Sequence, residues 1–429
     1  MWFAEEEFVK RSPRTSSAPG NLPTQSSSAL TRTCPGRAKR NHRIGFQEVC
    51  LQEARAALVL AVVLVPMIFA SQAAQAQTYK VLYSFKGTPD GKNPWAELIR
   101  DAKGNLYGTT SRGGVSYWGT AFKLDPRGKE TVLYNFLGGY GELPMSGLTR
   151  DAKGNFYGTT SQGGFYGRGT AFKLDMRGNE TVLYSFGGGA LSGGLALDGA
   201  GNLYGTAGTT VFKLDKAGKL TVLHFFSGPP DGEYPSGGVV RDAEGNLYGT
   251  TYMGGAYKYY GTVFKIDKTS KETVLHSFSG PDGSSPLATV ILDADGNLYG
   301  VTSSGGTSGN CNPFGCGVVF KLAPHSDGSW TETVLYNFAG QPDGSDPVGT
   351  LVRDAGGNLY GMTASGGSSG AGTVFKLDTT GKETVLHSFA GGADGWFPQA
   401  GLLLDDEGNL YGTTSDAVYG TGTVFELTP

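Results

Sequence analysis

The sequence predicts an all-β chain, a seven-bladed β-propeller of four-stranded antiparallel blades, on three observations. Glycine makes up 70 of the 429 residues, about twice the usual share of roughly 7%. Aromatic residues reach 11% while charged residues fall to 17%, and Gly-Asn and Asp-Gly pairs recur throughout. That composition suits short strands joined by tight turns, and excludes a helical bundle or a disordered chain. From Gln77 onward, one motif is written seven times. A unit of about 40 to 50 residues carrying four strand-like runs is the sequence description of a propeller blade.

The segment before the repeats is different material. Residues 1–55 are rich in Ser, Pro, Arg and Thr, with a basic run at Arg37, Lys39, Arg40 and Arg43, and are expected to form a disordered leader. Residues 56–76 read as a secretory signal: an uncharged core from Ala56 to Ala70, a basic flank at Arg55, and cleavage after Ala76. A core of fifteen residues broken by Pro66 falls short of the roughly 20 that span a bilayer. Retention as an uncleaved anchor is the alternative, and a start codon assigned too far upstream accounts for the long leader. Residues 1–76 hold 9 of the 35 Lys+Arg and 5 of the 38 Asp+Glu, so residues 77–429 carry a net charge of −7. A mildly acidic body is a poor partner for phosphate backbones or anionic lipid. No nucleic acid, and no membrane insertion after signal cleavage, is expected. The chain reads as a monomer that is secreted, periplasmic or on the bacterial cell surface.

Three markers define the repeat. Gly-Asn-Leu/Phe-Tyr-Gly begins at Gly104, Gly154, Gly201, Gly245, Gly296, Gly357 and Gly408. An Ala/Val-Phe-Lys-like run centres on Phe122, Phe172, Phe212, Phe264, Phe320, Phe375 and Phe425, and Val-Leu-Tyr/His-x-Phe starts at Val81, Val132, Val182, Val222, Val274, Val334 and Val385. In the first complete unit the strands are expected at Glu97–Arg100, Leu106–Thr110, Thr120–Leu124 and Thr131–Phe136, here A to D. Alternation along D places Val132, Tyr134 and Phe136 on one face. The chain opens with a D strand, 79–85, and ends with a C strand. The N-terminal strand is therefore expected to supply the outer strand of the last blade and close the ring, removing exposed strand edges.

These repeats, with their Gly-Gly pairs (Gly113-Gly114, Gly163-Gly164, Gly254-Gly255, Gly305-Gly306, Gly366-Gly367) and Gly-Thr-Val-Phe-Lys-Leu runs, resemble the bacterial GloVer (Gloeobacter/Verrucomicrobia) tandem repeat of choice-of-anchor surface proteins. The resemblance covers residues 78–429. It implies an exported protein, often with a C-terminal sorting segment, and no activity. No apolar tail follows the last strand here, so covalent C-terminal anchoring is not expected. The A and B strands also resemble, more weakly, those of six-bladed lactonase and NHL-type propellers.

Candidate sites fall into four groups. The Asp of each Asp-x-x-Gly-Asn (Asp101, Asp151, Asp198, Asp242, Asp293, Asp354, Asp405) suits a turn, since Asp bonds back to the backbone and Gly takes the positive φ. Structural calcium is the alternative there, and no other cofactor is expected. His224, His276 and His387 stand where other copies have tyrosine, on the strand farthest from the axis, and read as structural; His325 lies in a C–D insertion. Cys311 and Cys316 are the only cysteines outside the leader and are expected to form a small loop disulfide in an exported protein.

The fourth group is aromatic. B–C loops and D–A crossovers leave a propeller on one face, and here both carry rings. The loops offer Tyr117, Trp118, Phe165, Tyr166, Tyr257, Tyr259, Tyr260, Phe314 and Tyr419. The crossovers offer Trp95, Tyr140, Tyr234, Trp396 and Phe397. Arg112, Arg168 and Lys258 add cations. Rings on such loops suit sugar faces or a partner protein, so a non-enzymatic propeller binding a glycan or protein partner is expected. Two rival readings stand. A metal-dependent hydrolase or lactonase-like enzyme would gather three or more carboxylates around the axis, and a purely structural surface module would bury the rings against one another. No catalytic residue is assigned.

Overall fold

The structure, a computed structural model, describes residues 77–429 apart from 190, 192, 312, 418 and 419. The leader and signal segment expected at 1–76 lie outside the described residues, as does Tyr419. The described chain forms seven four-stranded antiparallel sheets. Blade 1 is Ile99–Arg100, Leu106–Thr110, Thr120–Leu124 and Glu130–Asn135, and blades 2 to 6 repeat the order up to Glu383–Ser388. Blade 7 combines Leu403–Leu404, Leu410–Thr414 and Thr423–Thr428 with the N-terminal strand Thr78–Ser84. Tyr79 pairs with Leu427 and Val81 with Phe425, so the N-terminal strand closes the ring. No helix among the described residues is long and apolar enough to cross a membrane.

The recurring letters are explained by turn chemistry. In blade 1, Asp101 Oδ1 accepts the N–H groups of Lys103 and Asn105, at 2.9 Å each. Oδ2 accepts from the Asn105 amide at 2.8 Å and the Tyr107 hydroxyl at 2.9 Å. Burial works against the charged form, but these donors prevail and hold the Asp101 carboxyl down at about 2. The Tyr-to-Asp bond recurs in every blade, from Tyr157 to Tyr411. One A–B turn thus uses the Asp, Gly, Asn and Tyr together.

Packing between blades rests on phenylalanine. Phe122 on strand C is buried, and a Cβ on Gly108 of strand B would lie 2.9 Å from its Cζ; only glycine admits the ring there. Across the blade boundary Phe122 meets Phe85 at 5.1 Å, edge to face. Equivalent pairs follow around the ring: Phe136–Phe172, Phe186–Phe212, Phe226–Phe264, Phe278–Phe320, Phe338–Phe375 and Phe389–Phe425, at 4.9 to 5.5 Å. Such geometry contributes about 0.5–1.5 kcal/mol per pair beyond the area it buries.

Two sequence expectations are corrected. Strand A holds only Ile99–Arg100 in blade 1, not Glu97–Arg100: Glu97 lines the central channel and Leu98 packs into the core before sheet pairing begins. Strict alternation along strand D fails too. Ala121 pairs with Tyr134 and Phe122 with Val132, leaving Leu133 as an extra, bulged residue. The bulge lets Leu133 and Tyr134, consecutive in sequence, both pack near Phe136 and Phe172.

A second device joins blades at the crossovers. The residue before the crossover proline is left-handed in six places, Asn93, Leu143, Tyr234, Ser285, Asp346 and Phe397, with φ of 51–58°. Leu143 shows why. Its N–H donates to Trp118 O of the preceding blade at 3.1 Å, and its carbonyl accepts from Ser161 N–H of the next at 3.1 Å. A conformation that costs of order 1 kcal/mol or more outside glycine is held by bonds on both sides.

Substituting Phe320 by alanine is expected to cost about 3–5 kcal/mol in denaturant unfolding. Phe225, on a strand D but 62% exposed, provides the control: Phe225→Ala should move stability by no more than about 0.5 kcal/mol.

Candidate functional site

Repetition places seven equivalent backbones around a central channel of about 480 Å³. At one equivalent position of the repeat, six blades contribute Gly147, Gly194, Gly238, Thr289, Thr350 and Gly401 to the wall, and the first blade contributes Glu97. Glu97 leans across the channel, and its Oε1 accepts the Thr350 N–H at 3.3 Å. A Cβ on Gly401 would lie 2.6 Å from that oxygen. Enclosure by the wall pushes the Glu97 carboxyl up, with the Thr350 bonds drawing it back. Among the described lining residues it is the one carboxylate. Trp95 stands two residues before it, at the channel lip.

Around that lip lies the face built by the loops. Crossovers and B–C loops are joined by short backbone ladders: Lys92 with Arg112, Glu142 with Gln162, Ser284 with Ser304, and Trp396 with Asp416. A further pair of short strands joins Gly232–Glu233 to Met253–Gly254. Of the thirteen exposed aromatic rings among the described residues, twelve sit on these loops and crossovers, Phe225 being the other. Phe165 is 86% exposed, Tyr117 70% and Tyr259 69%. Trp95, Trp118, Tyr166, Tyr234, Tyr257 and Trp396 are exposed as well, and so is Arg168.

Tyr260 departs from this pattern. It is only partly exposed, packs beside the core cluster of Phe278 and Phe320, and lies over Gly280, so it supports the loop and does not face outward. Some rings pair with each other: Phe165 edge-on to Tyr166 at 4.9 Å, and Trp396 stacked on Phe397 at 5.2 Å. Tyr117 holds a left-handed backbone at φ 66° where blades 2, 6 and 7 have Gly167, Gly370 and Gly420 and blade 4 has Lys258 at φ 71°. Cys311 and Cys316 are joined by a disulfide on a B–C loop, and the Cys316 carbonyl accepts the Asp346 N–H at 3.1 Å.

A feature the sequence reading missed lies between neighbouring strands D, near the crossovers. The tyrosine or histidine of strand D meets the Asp of the following Asp-Gly crossover, and the Glu that opens the next strand D approaches both. Tyr83 donates to Asp90 beside Glu130, and Tyr336 to Asp343 beside Glu383, the latter hydrogen bond at 3.1 Å. His224 pairs with Asp231 near Glu272, and His276 with Asp282 near Glu332. Where Asp is missing, Tyr134 donates directly to Glu180 at 2.9 Å. At the ring closure Tyr79 takes the place of Glu and stacks on His387 at 3.8 Å. Burial first, and the Asp charge second, push Glu130 and Glu383 up to about 7. The contacts to the glutamate reach into the next blade, Tyr134 and Glu180 lying 46 residues apart, so only the assumption of blade adjacency could have found them.

The model of the Gloeobacter/Verrucomicrobia repeat matches residues 66–209 and 207–425. The chain belongs to that repeat family. None of the curated proteins matches it. Among solved structures it is similar to a streptogramin B lyase, at 15% identity and a TM-score of 0.58, over 83% of this chain and 99% of that one. It is also similar to the extracellular domain of a hybrid two-component system from B. thetaiotaomicron, at 12% identity and a TM-score of 0.56, over 81% of this chain and 39% of that one. At such identities the likeness shows the propeller fold of the repeat family and nothing of its chemistry.

A carboxyl whose folded value is raised takes up a proton on folding, so its stabilising contribution is present below the unfolded range near 4.5 and is lost as pH rises through 7. Thermal stability is therefore expected to fall between pH 5 and pH 8. Glu130→Gln with Glu383→Gln, which leave Asp90 and Asp343 their tyrosine donors, should flatten part of that slope; an unchanged slope would refute the assignment.

Proposed function

We propose that the protein is an exported, non-enzymatic propeller that binds a glycan through the aromatic face around its channel mouth. The observation that carries the reading is the concentration of twelve of thirteen exposed rings on one set of loops. Flat rings with few rotatable bonds offer stacking area to sugar faces at little cost in entropy, while Arg112, Arg168 and Lys258 supply donors beside them. The backbone at Tyr117 supports the same reading. A left-handed tyrosine costs roughly 1–2 kcal/mol at a place where blades 2, 6 and 7 use glycine and blade 4 uses Lys258, and what it adds there is an exposed ring. A protein partner is the alternative occupant of this face. A metal-dependent hydrolase or lactonase-like site in the channel would need several converging ligands, and the described wall offers Glu97.

The test is binding of the protein to a panel of bacterial and plant polysaccharides, beside a Trp118→Ala, Tyr259→Ala, Trp396→Ala variant with an unchanged melting temperature. Loss of binding by about tenfold or more in the variant is the expected result. Equal binding by both proteins would remove the aromatic face from the account. No binding by either would leave the protein partner or a structural module in its place. Tyr117→Gly separates function from stability: the melting temperature should hold or rise while binding weakens.

A further inference from the structure

We propose that the protein binds two divalent transition-metal ions between its blades, at His224, Asp231 and Glu272, and at His276, Asp282 and Glu332. Each set brings together one imidazole nitrogen and two carboxylate oxygens, all within 4.8 Å of one another. The His Nε2 to Asp Oδ2 separations are 3.1 Å and 3.0 Å. Two ligands of one tetrahedral ion with bonds of about 2.0–2.1 Å stand about 3.3 Å apart, so little movement converts the hydrogen-bonded pair into a chelating one. The third ligand is ready as well. Glu272 Oε1 and Glu332 Oε1 are buried and accept no hydrogen bond, which is costly for a carboxylate oxygen unless something meets it.

The carboxylates are also held from behind. Asp231 Oδ1 accepts the Gly232 N–H at 2.8 Å, and Asp282 Oδ1 accepts the Ser279 N–H at 2.8 Å and its hydroxyl at 2.9 Å. Such outer contacts orient ligands; Asp282 Oδ2 faces the imidazole, and Asp231 Oδ2 faces it while also accepting the Ser227 N–H at 3.2 Å. One nitrogen and two oxygens select zinc-like ions over calcium or magnesium, which take oxygen alone. Three protein ligands leave a fourth position for water.

The repeat supplies its own controls. Tyr83 with Asp90 and Glu130, and Tyr336 with Asp343 and Glu383, have the same carboxylates with the same unpartnered glutamate oxygen, but a phenol in place of imidazole. His387 and Asp394 have the imidazole but meet Tyr79 in place of Glu. Neither arrangement provides the full set, so two sites are expected among the described residues.

The experiment is equilibrium dialysis of the untagged full chain against micromolar Zn²⁺, with metal counted by mass spectrometry and melting followed in parallel. His224→Tyr and His276→Tyr install the residue that blades 5 and 7 already carry, so the variants should fold. Wild type is expected to hold two ions, each single variant one, and the double variant none. Zinc should raise the melting temperature of the wild type and leave that of the double variant unchanged. Wild type that retains no zinc, or a double variant that retains two ions, would overturn the proposal.

Discussion

The ring depends on one contact made seven times, a phenylalanine of one blade set edge-on or tilted against the buried strand C phenylalanine of the next. Each pair needs a glycine on strand B to admit the ring, a bulge in strand D to bring consecutive residues toward the core, and a tight A–B turn to hold strand B in place. The composition follows from those needs: much glycine, many aromatics, few charges. Because the seventh pair uses Phe389 and Phe425 and the next uses Phe85, the cycle has no free end. The N-terminal strand is a structural member of the last blade.

Seven near-identical units make each exception informative. Glu97 breaks a ring of glycine and threonine in the channel, and Tyr79 replaces a glutamate at the closure. Leu220 does so in blade 3, where the preceding crossover also lacks the Asp. At that boundary the glutamate and the aspartate are thus dropped together, while Tyr184 of strand D stays. Histidine in place of tyrosine keeps the hydrogen bond to Asp while changing what the site can hold. The shared scaffold carries stability, and the exceptions are where distinct chemistry enters.

Much of the fold was legible in the sequence because the markers are local. Asp-x-x-Gly-Asn-x-Tyr lies within one turn, and the alternating apolar residues lie within one strand. The blade count and the closing strand followed from the order of the markers. The bulge at Leu133 was not legible, because a register shift depends on the partner strand. Strand A was expected two residues too long because Glu97 and Leu98 look strand-like, yet Glu97 lines the channel and Leu98 packs into the core before sheet pairing begins at Ile99. On the candidate face, the exposed loops were recognised from their rings, but Tyr260 turned out to support its loop from beneath, a difference set by a neighbouring crossover. The His–Asp–Glu groupings escaped for a related reason: their members lie in two blades, and reading histidine on an outer strand as distant from any site assumed that only the axis could hold one.

Native-state hydrogen exchange of the amides in Thr78–Ser84 tests the closed ring most directly. If the phenylalanine cycle is the unit of stability, those amides exchange only through global unfolding, with the same free energy and denaturant dependence as the buried strand C amides of blade 4. Exchange of Thr78–Ser84 through a local opening, several kcal/mol below the global value and insensitive to denaturant, would contradict a ring that depends on its N-terminal strand.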